Sequence, residues 1–136
     1  MLVVDDNPAF REAVSELLRA QGLDVAGHAG DEDETLSAVQ RLRPSGVLLD
    51  LQLPGRDGFH VANRLAALDR PPTVLLTSSD SDAANQSLAH DCGAVAFVPK
   101  ADLAGADLRS YFSPGYRASG GIGGRPVPDG GLRESG

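Results

Sequence analysis

Short aliphatic runs alternate with amphipathic helical stretches along the first 112 residues of this chain, and no other feature restricts the fold as strongly. The clearest runs are MLVV at 1–4, VLL at 47–49, VLL at 74–76 and AVAFV at 94–98. Strands that are buried on both faces read as continuous aliphatic runs, and their alternation with helices is typical of a parallel sheet. We therefore predict an α/β fold of five βα units, with a doubly wound, five-stranded parallel sheet and helices on both faces.

Capping residues mark several ends of the predicted helices. Asn7 suits the N-cap position and Pro8 the first turn of a first helix, which Gly22 closes. The acidic run at 31–34 favours the positive end of the dipole of the second helix. A weaker apolar stretch at 23–29 predicts a second strand at an edge of the sheet.

The remaining predicted elements follow from aliphatic runs and from Gly and Pro. We predict a third strand at 47–51, a loop at 54–58 that leads into the third helix, and a fourth strand at 73–77. A polar turn at 78–82 precedes a weak fourth helix that is expected to end at Gly93. The run at 94–98 predicts the fifth strand, and the last helix is expected over about 102–112.

The composition changes after Phe112. From 113 to 136, eight of the 24 residues are Gly and three are Pro, without apolar periodicity. Such a segment cannot offset its ordering entropy by burial. We therefore predict a folded domain at 1–112 and a disordered Gly/Pro-rich tail at 113–136, with no helix-turn-helix pattern in the tail.

Acidic residues outnumber basic ones, 19 against 12, for a net charge of −7. The tail carries a net +1, so the first 112 residues carry −8. This charge argues against direct binding to nucleic acid or an anionic membrane. The single cysteine, Cys92, cannot form an internal disulfide, and no apolar run approaches the ~20 residues of a membrane span. We expect a soluble, cytoplasmic protein.

Polar residues stand where four of the predicted strands end. They are Asp5, Asp6, Asp50, Thr77 and Lys100. The carboxyl ends of parallel strands form one edge of an open α/β sheet, where ligands bind. Two carboxylates ~4 Å apart repel by ~4 kcal/mol at the effective dielectric constant of a protein surface. Mg²⁺ offsets such repulsion and also binds phosphate oxygens, so the pattern predicts a site for Mg²⁺ and a phosphoryl group.

Lys100 is the only lysine of the chain, since the other 11 basic residues are arginines. The ammonium of lysine is a compact point charge, and the wide guanidinium fork of arginine cannot replace it everywhere. We interpret Lys100 as a group that faces a phosphoryl oxygen. His28, His60 and His90 lack metal-ligand spacing, and we expect them at the surface.

Four motifs, VVDDNPAFR, VLLDLQLPGRDGF, VLLTSS and AFVPKADL, contain these site residues. Their order and spacing resemble the receiver domain of two-component response regulators, the CheY-like superfamily, over about residues 1–112. The short gap from Asp50 to Thr77 is similar to receivers of the NarL/FixJ type, although no helix-turn-helix follows here. The family usually has proline after its lysine, whereas Ala101 follows Lys100. The resemblance implies a flavodoxin-like (βα)5 fold and phosphoryl transfer from a histidine kinase or phosphotransfer protein.

The resemblance also assigns the acidic residues. Asp50 would be the phosphoacceptor. Asp5 and Asp6 would bind Mg²⁺ together with Asp50, and the backbone carbonyl of Gln52 would complete the protein ligands.

Further roles follow from the same resemblance. Thr77 would hydrogen-bond the incoming phosphoryl group, and Lys100 would pair with its charge. Phe97 matches the aromatic switch that rotates inward when Thr77 moves. Gln52 and Ser78 would flank the path of the attacking water and set the lifetime of the phosphoryl group.

The first interpretation is a phosphoacceptor receiver that switches a surface for a downstream protein, as a monomer or a phosphorylation-dependent dimer. That surface would comprise the fourth helix, fifth strand and fifth helix. One alternative is a constitutive, phosphorylation-independent interaction module, against which the intact site residues argue. Another is a transcriptional regulator lacking its DNA-binding domain. An enzyme acting on an external substrate is disfavoured, because the sequence offers no further general base and no Gly-rich phosphate loop.

Overall fold

A computed structural model describes residues 1–80, 82 and 84–112 of the chain. In chain order the strands are β1 (Leu2–Val4), β2 (Gly27–Ala29), β3 (Gly46–Asp50), β4 (Gln52–Leu53), β5 (Arg56–Asp57), β6 (Thr73–Ser78) and β7 (Ala96–Pro99). The helices are α1 (Pro8–Ala20), α2 (Glu32–Leu42), α3 (Gly58–Ala66), α4 (Ala84–Asp91) and α5 (Leu108–Phe112), and a 3₁₀ helix covers Lys100–Gly105. The predicted tail at 113–136 lies outside the described residues.

Five of the strands form one parallel sheet in the order β2-β1-β3-β6-β7. This arrangement confirms the predicted doubly wound sheet. The chain runs from β1 to one edge and then returns to the other side of β1 at β3, so the strand order reverses between these two strands. Ligands of open α/β sheets bind at the carboxyl ends of strands at such a reversal, and Asp50 lies there at the end of β3.

Alternating side chains of the central strands build two cores, one on each face of the sheet. On one face Val4, Leu49 and Leu76 pack with buried side chains of α2, α3 and α4. On the other face Val3 and Leu48 pack with buried residues of α1, α5 and the 3₁₀ helix. Both faces are therefore covered, as a sheet of continuous aliphatic strands requires.

The predicted helix starts are confirmed by their caps. The Oδ1 atom of Asn7 accepts hydrogen bonds from the backbone N–H groups of Ala9 (2.9 Å) and Phe10 (3.4 Å), with Pro8 in the first turn. At α2 the Asp31 side chain accepts a hydrogen bond from the backbone N–H of Glu34 at 2.8 Å. These caps satisfy N–H groups that have no partner within the helix.

The predicted last helix is wrong in its first half. Lys100–Gly105 forms a 3₁₀ helix, Ala106 is extended, and an α-helix begins only at Leu108. The side chain of Gln21 bridges this break, because it donates to the carbonyl of Ala106 at 3.0 Å and accepts from the N–H of Leu108 at 2.8 Å. The C-cap glutamine of α1 thus supplies partners that a continuous helix would have supplied.

Two other boundaries differ from the prediction. The predicted strand at 23–29 is ordered as a strand only over Gly27–Ala29, at the sheet edge beside β1. The predicted loop at 54–58 contains β5, which pairs antiparallel with β4 just before the loop. Among the described residues no helix is both long enough and apolar enough to cross a membrane.

Candidate metal and phosphoryl site

Three carboxylates meet at the carboxyl edge of the sheet. Asp5 and Asp6 follow β1, Asp50 ends β3, and each offers a ligand atom within 4.8 Å of the others. Asp5 and Asp50 are buried, whereas Asp6 is exposed. The predicted cluster of acids is therefore present, with one member open to solvent.

Backbone N–H groups fix the two buried carboxylates. Asp5 Oδ1 accepts a hydrogen bond from the N–H of Asn7 at 2.8 Å, and Asp50 Oδ1 accepts one from the N–H of Gln52 at 3.1 Å. Asp5 Oδ2 is buried and accepts no hydrogen bond from the described residues, although the ammonium of Lys100 lies 2.7 Å away as an ion pair. This buried carboxylate oxygen thus has the ammonium of Lys100 as its ion-pair partner and no hydrogen bond among the described residues.

Lys100 brings the only ammonium side chain of the protein into this cluster. Its Nζ atom lies 2.7 Å from Asp5 Oδ2, 3.6 Å from Asp50 Oδ2 and 4.2 Å from the ring centroid of Phe10. When all of these groups are ionised, one positive charge faces three negative ones, so a divalent cation would balance the cluster.

Burial raises the pKa of the Asp50 carboxyl to about 6. The hydrogen bond from the N–H of Gln52 and the charge of Lys100 oppose this rise, and the negative charge of Asp5 adds to it. Desolvation and a nearby like charge both disfavour ionisation of a carboxyl group. Hard divalent cations prefer carboxylate and carbonyl oxygens, so the donor set and the uncompensated charge fit Mg²⁺.

Thr77 lies beside Asp50 on the neighbouring strand, where the two residues are register partners. Its side chain is buried, and its Oγ1 donates a hydrogen bond to the carbonyl of Val98 at 2.7 Å. The next strand also holds Phe97, whose side chain is only 2% exposed. Gln86 Nε2 on α4 donates to the carbonyl of Phe97 at 2.6 Å. The hydroxyl of Thr77 is therefore directed toward β7 in this structure.

Gln52 and Ser78 both lie close to Asp50 in the fold. Gln52 follows Asp50 by two residues, and Ser78 follows Thr77, the register partner of Asp50. Gln52 is exposed, and its Oε1 accepts a hydrogen bond from Ser79 Oγ at 2.9 Å. Ser78 is buried, and its Oγ accepts from the N–H of Asp80 at 3.0 Å. Both side chains are engaged in the loops that border the carboxylate cluster.

Sequence reasoning did not assign a role at the site to three residues. Phe10, Ser79 and Gly58 stand within the motifs that contain the predicted site residues, but the sequence pattern assigns them no role at the site. A Cβ at Gly58 would lie 2.6 Å from the carbonyl oxygen of Asp50 and from the Cα of Leu51. The only sequence signals are the position of Phe10 three residues after the N-cap and the Asp-Gly pair before α3.

The three histidines lie at the surface, as predicted. His28 Nε2 is 2.9 Å from Ser15 Oγ, and His60 Nε2 is 3.3 Å from Glu32 Oε2. Among the described residues, the group of acids, histidines or cysteines that could hold a metal ion contains only Asp5, Asp6 and Asp50.

Comparison with known proteins identifies the family to which this geometry corresponds. Residues 1–110 match the family of response regulator receiver domains. The chain is 42% identical over 100 residues to the DNA-binding response regulator MtrA of Mycolicibacterium smegmatis. This match covers 74% of this chain and 43% of that protein. It is also 42% identical over 106 residues to a protein-glutamate methylesterase/protein-glutamine glutaminase of Anaeromyxobacter dehalogenans, covering 77% of this chain and 30% of that protein. The chain thus spans less than half the length of these relatives.

The fold is also similar to solved structures. The signal receiver domain of the response regulator NarL from Mycobacterium tuberculosis superposes with a TM-score of 0.70 at 33% identity. The match covers 81% of this chain and 93% of that domain. The predicted similarity to NarL-type receivers is therefore confirmed.

Proposed function

The chain belongs to the response regulator receiver domain family, and on that premise we propose that it accepts a phosphoryl group on Asp50 with the help of Mg²⁺. The donor would be a sensor histidine kinase or a phosphotransfer protein in the cytoplasm. The product would be a switched protein–protein surface, so the transfer is directed to the protein itself and no external substrate is turned over.

The observation that carries this proposal is the meeting of three carboxylates with one ammonium at the carboxyl edge of the sheet. A carboxylate is a weak nucleophile, and it requires a phosphoryl donor whose charge is neutralised. Asp5, Asp6, Asp50 and the backbone carbonyl of Gln52 would hold Mg²⁺, which supplies part of this neutralisation when bound.

The protein groups would divide the remaining tasks. An Asp50 carboxylate oxygen forms a bond to phosphorus while the bond from phosphorus to the donor atom breaks. Lys100, whose Nζ atom lies 3.6 Å from Asp50 Oδ2, would pair with a phosphoryl oxygen. Thr77 donates a hydrogen bond to another phosphoryl oxygen once its hydroxyl leaves the carbonyl of Val98.

The change at Thr77 would be transmitted to the surface through β7. Thr77 and Val98 are register partners, and Phe97 precedes Val98 on the same strand. Movement of the Thr77 hydroxyl releases the carbonyl of Val98 and allows Phe97 to reposition. The surface of α4, β7 and α5 would carry the signal to a downstream protein, with the receiver acting as a monomer or a phosphorylation-dependent dimer.

Gln52 and Ser78 would set the lifetime of the phosphorylated state. Their side chains are engaged with loop residues next to Asp50, where a water molecule must approach the phosphoryl group. Because a shorter side chain would open the path of the attacking water, Gln52→Ala and Ser78→Ala should each hasten loss of the phosphoryl group by about two- to tenfold, the size of one hydrogen-bond effect. Unchanged decay of the purified phosphoprotein in both variants would contradict this role.

A second candidate is the receiver part of a DNA-binding regulator, which the similarity to MtrA favours. The net charge of −8 on residues 1–112 makes direct binding of DNA by this part unfavourable. In that case phosphorylation of Asp50 would act on another region of the regulator.

The proposal is tested by treating the wild type and Asp50→Asn with acetyl phosphate, with and without Mg²⁺, and measuring intact mass. We expect one phosphoryl adduct that requires Mg²⁺, is absent in Asp50→Asn and persists in the control Asp69→Asn, which changes an exposed aspartate. An adduct in Asp50→Asn would place the phosphoacceptor elsewhere. Absence of any adduct in the wild type would favour the constitutive interaction module.

A further inference from the structure

The ammonium of Lys100 rests over an aromatic ring as well as between carboxylates. Its Nζ atom is 4.2 Å from the ring centroid of Phe10, a half-buried side chain on the first turn of α1. The face of an aromatic ring attracts a cation, and the attraction grows as the cation loses water. Because the Lys100 side chain is only 21% exposed, this contact is a partly desolvated one.

The Phe10 ring matters because the Lys100 ammonium lies near two different carboxylates, those of Asp5 and Asp50. Its Nζ atom lies closer to Asp5 Oδ2 (2.7 Å) than to Asp50 Oδ2 (3.6 Å). Lysine is a flexible four-carbon stem with a strongly hydrated charge, so without a further contact the ammonium can swing toward solvent. The Phe10 ring gives the ammonium a third contact in addition to the two carboxylates.

The turn that holds Phe10 also holds a metal-site carboxylate. The N–H of Asn7 donates to Asp5 Oδ1, and the side chain of Asn7 accepts from the N–H of Phe10. One turn therefore fixes both the Asp5 carboxylate and the start of the helix that carries the ring.

We propose that Phe10 is a positioning residue that holds the Lys100 ammonium within reach of the phosphoryl group on Asp50. This inference rests on the proposed phosphoacceptor function and deepens it. Phe10 touches neither the phosphoryl group nor the metal ion, and it acts through Lys100. The competing account is that Phe10 only packs against the core side chains on its face of the sheet.

The contact itself can be observed without phosphorylation, because Lys100 is the only lysine. Protein labelled with ¹³C at lysine Cε gives a single methylene resonance. A ring-current shift to high field is expected in the wild type, and the shift should disappear in Phe10→Leu. The same chemical shift in both proteins would overturn the proposal.

The functional role is tested by the rate of phosphorylation with acetyl phosphate at saturating Mg²⁺. Phe10→Leu should react about fivefold more slowly, the effect expected for one lost cation–π contact. Phe10→Trp should retain the wild-type rate. Site-specific 3,4,5-trifluorophenylalanine at position 10 keeps the ring shape but weakens its attraction for cations, and should give an intermediate rate. Circular dichroism melting of each variant controls for folding.

The outcomes separate this inference from the proposed function. A wild type that takes no phosphoryl group contradicts the proposed function, while the lysine resonance still reports whether Phe10 contacts Lys100. If the wild type is phosphorylated, its phosphorylation rate can be compared with those of Phe10→Leu and the trifluorophenylalanine variant. Equal rates in all three proteins would show that Phe10 only packs against the core, and would overturn the positioning role.

Discussion

The carboxyl group of Asp50 occupies a place that suits its negative charge poorly. It is 2% exposed, it has Asp5 as a neighbour, and its pKa is raised to about 6. The Nζ atom of Lys100 lies farther from Asp50 Oδ2 (3.6 Å) than from Asp5 Oδ2 (2.7 Å), so its charge compensates only part of the cost. The site proposed for Mg²⁺ and a phosphoryl group thus reduces the stability of the free protein.

The expected consequence is that Asp50→Asn stabilises the metal-free protein. Because the pKa of this acid is higher in the folded than in the unfolded state, the native state binds more protons between about pH 4 and 6. The free energy of unfolding therefore falls as the pH rises through this range, and the loss is complete above it. At about pH 7.5 Asp50→Asn should be more stable by about 1–2 kcal/mol, and at about pH 4 the difference should disappear.

Urea unfolding in the presence of a chelator measures this difference. The exposed Asp69→Asn serves as the control and should differ little from the wild type at both pH values. Added Mg²⁺ should stabilise the wild type more than Asp50→Asn, which narrows the gap. An Asp50→Asn protein that is less stable than the wild type at neutral pH would contradict the cost assigned to the buried carboxylate.

The sequence predicts those site residues whose location follows from the path of the backbone alone. Asp5, Asp50 and Thr77 end parallel strands, so the strand pattern alone places them at one edge. The contacts of Phe10 and Ser79 depend on which way a side chain turns, and an aliphatic pattern contains no signal for that. Phe10 satisfies the apolar face of its helix equally well whether or not its ring meets an ammonium.

At the scale of elements, the central strands were predictable because burial on both faces requires a continuous aliphatic run. The edge strand β2 pairs with β1, and only Ala29 of its three residues is buried, so its limits depend on that pairing. The break before α5 depends on Gln21, which is distant in sequence and supplies two hydrogen bonds there. Contacts between distant residues decide both cases, and local periodicity does not record them.

The loop between β3 and α3 depends on the absence of a side chain at Gly58. Its N–H donates to the carbonyl of Leu51 at 2.8 Å, and an added Cβ would lie 2.6 Å from the backbone of Asp50 and Leu51. Gly58→Ala should therefore lower the free energy of unfolding by about 1–3 kcal/mol, the usual cost of overpacking, and should also slow phosphorylation of Asp50.

Gly105→Ala is the matched control for this substitution. Within the part of the chain that the structure describes, a Cβ at Gly105 would meet no atom within 4 Å, and the backbone there does not require a glycine. Thermal unfolding of both variants should therefore show a loss only for Gly58→Ala. Equal stability of Gly58→Ala and the wild type would mean that the loop relaxes without strain and that Asp50 does not depend on this close approach.

At the scale of the whole molecule, the proposed switch would connect the acidic cluster to β7 and α4 through the hydroxyl of Thr77. Phosphorylation adds about −1.5 to −2 charge and new acceptor oxygens beside Thr77. The Thr77 hydroxyl now donates to the carbonyl of Val98, so it must exchange one acceptor for another. Phe97 is buried next to Val98, and its carbonyl accepts a hydrogen bond from Gln86 on α4. The proposed change of acceptor at Thr77 would therefore affect α4 as well as β7.

Thr77→Ala should separate phosphorylation from its consequence. Without the hydroxyl, Asp50 should still be phosphorylated, about tenfold more slowly because one charge-assisted hydrogen bond is lost. The amide resonances of β7 and α4 should shift on phosphorylation of the wild type and remain in place in the phosphorylated variant. Thr73→Ala, at the opposite end of the same strand, is the control and should switch normally. If phosphorylated Thr77→Ala shows the wild-type shifts, the signal reaches Phe97 by another route, since no hydroxyl at position 77 was available to carry it.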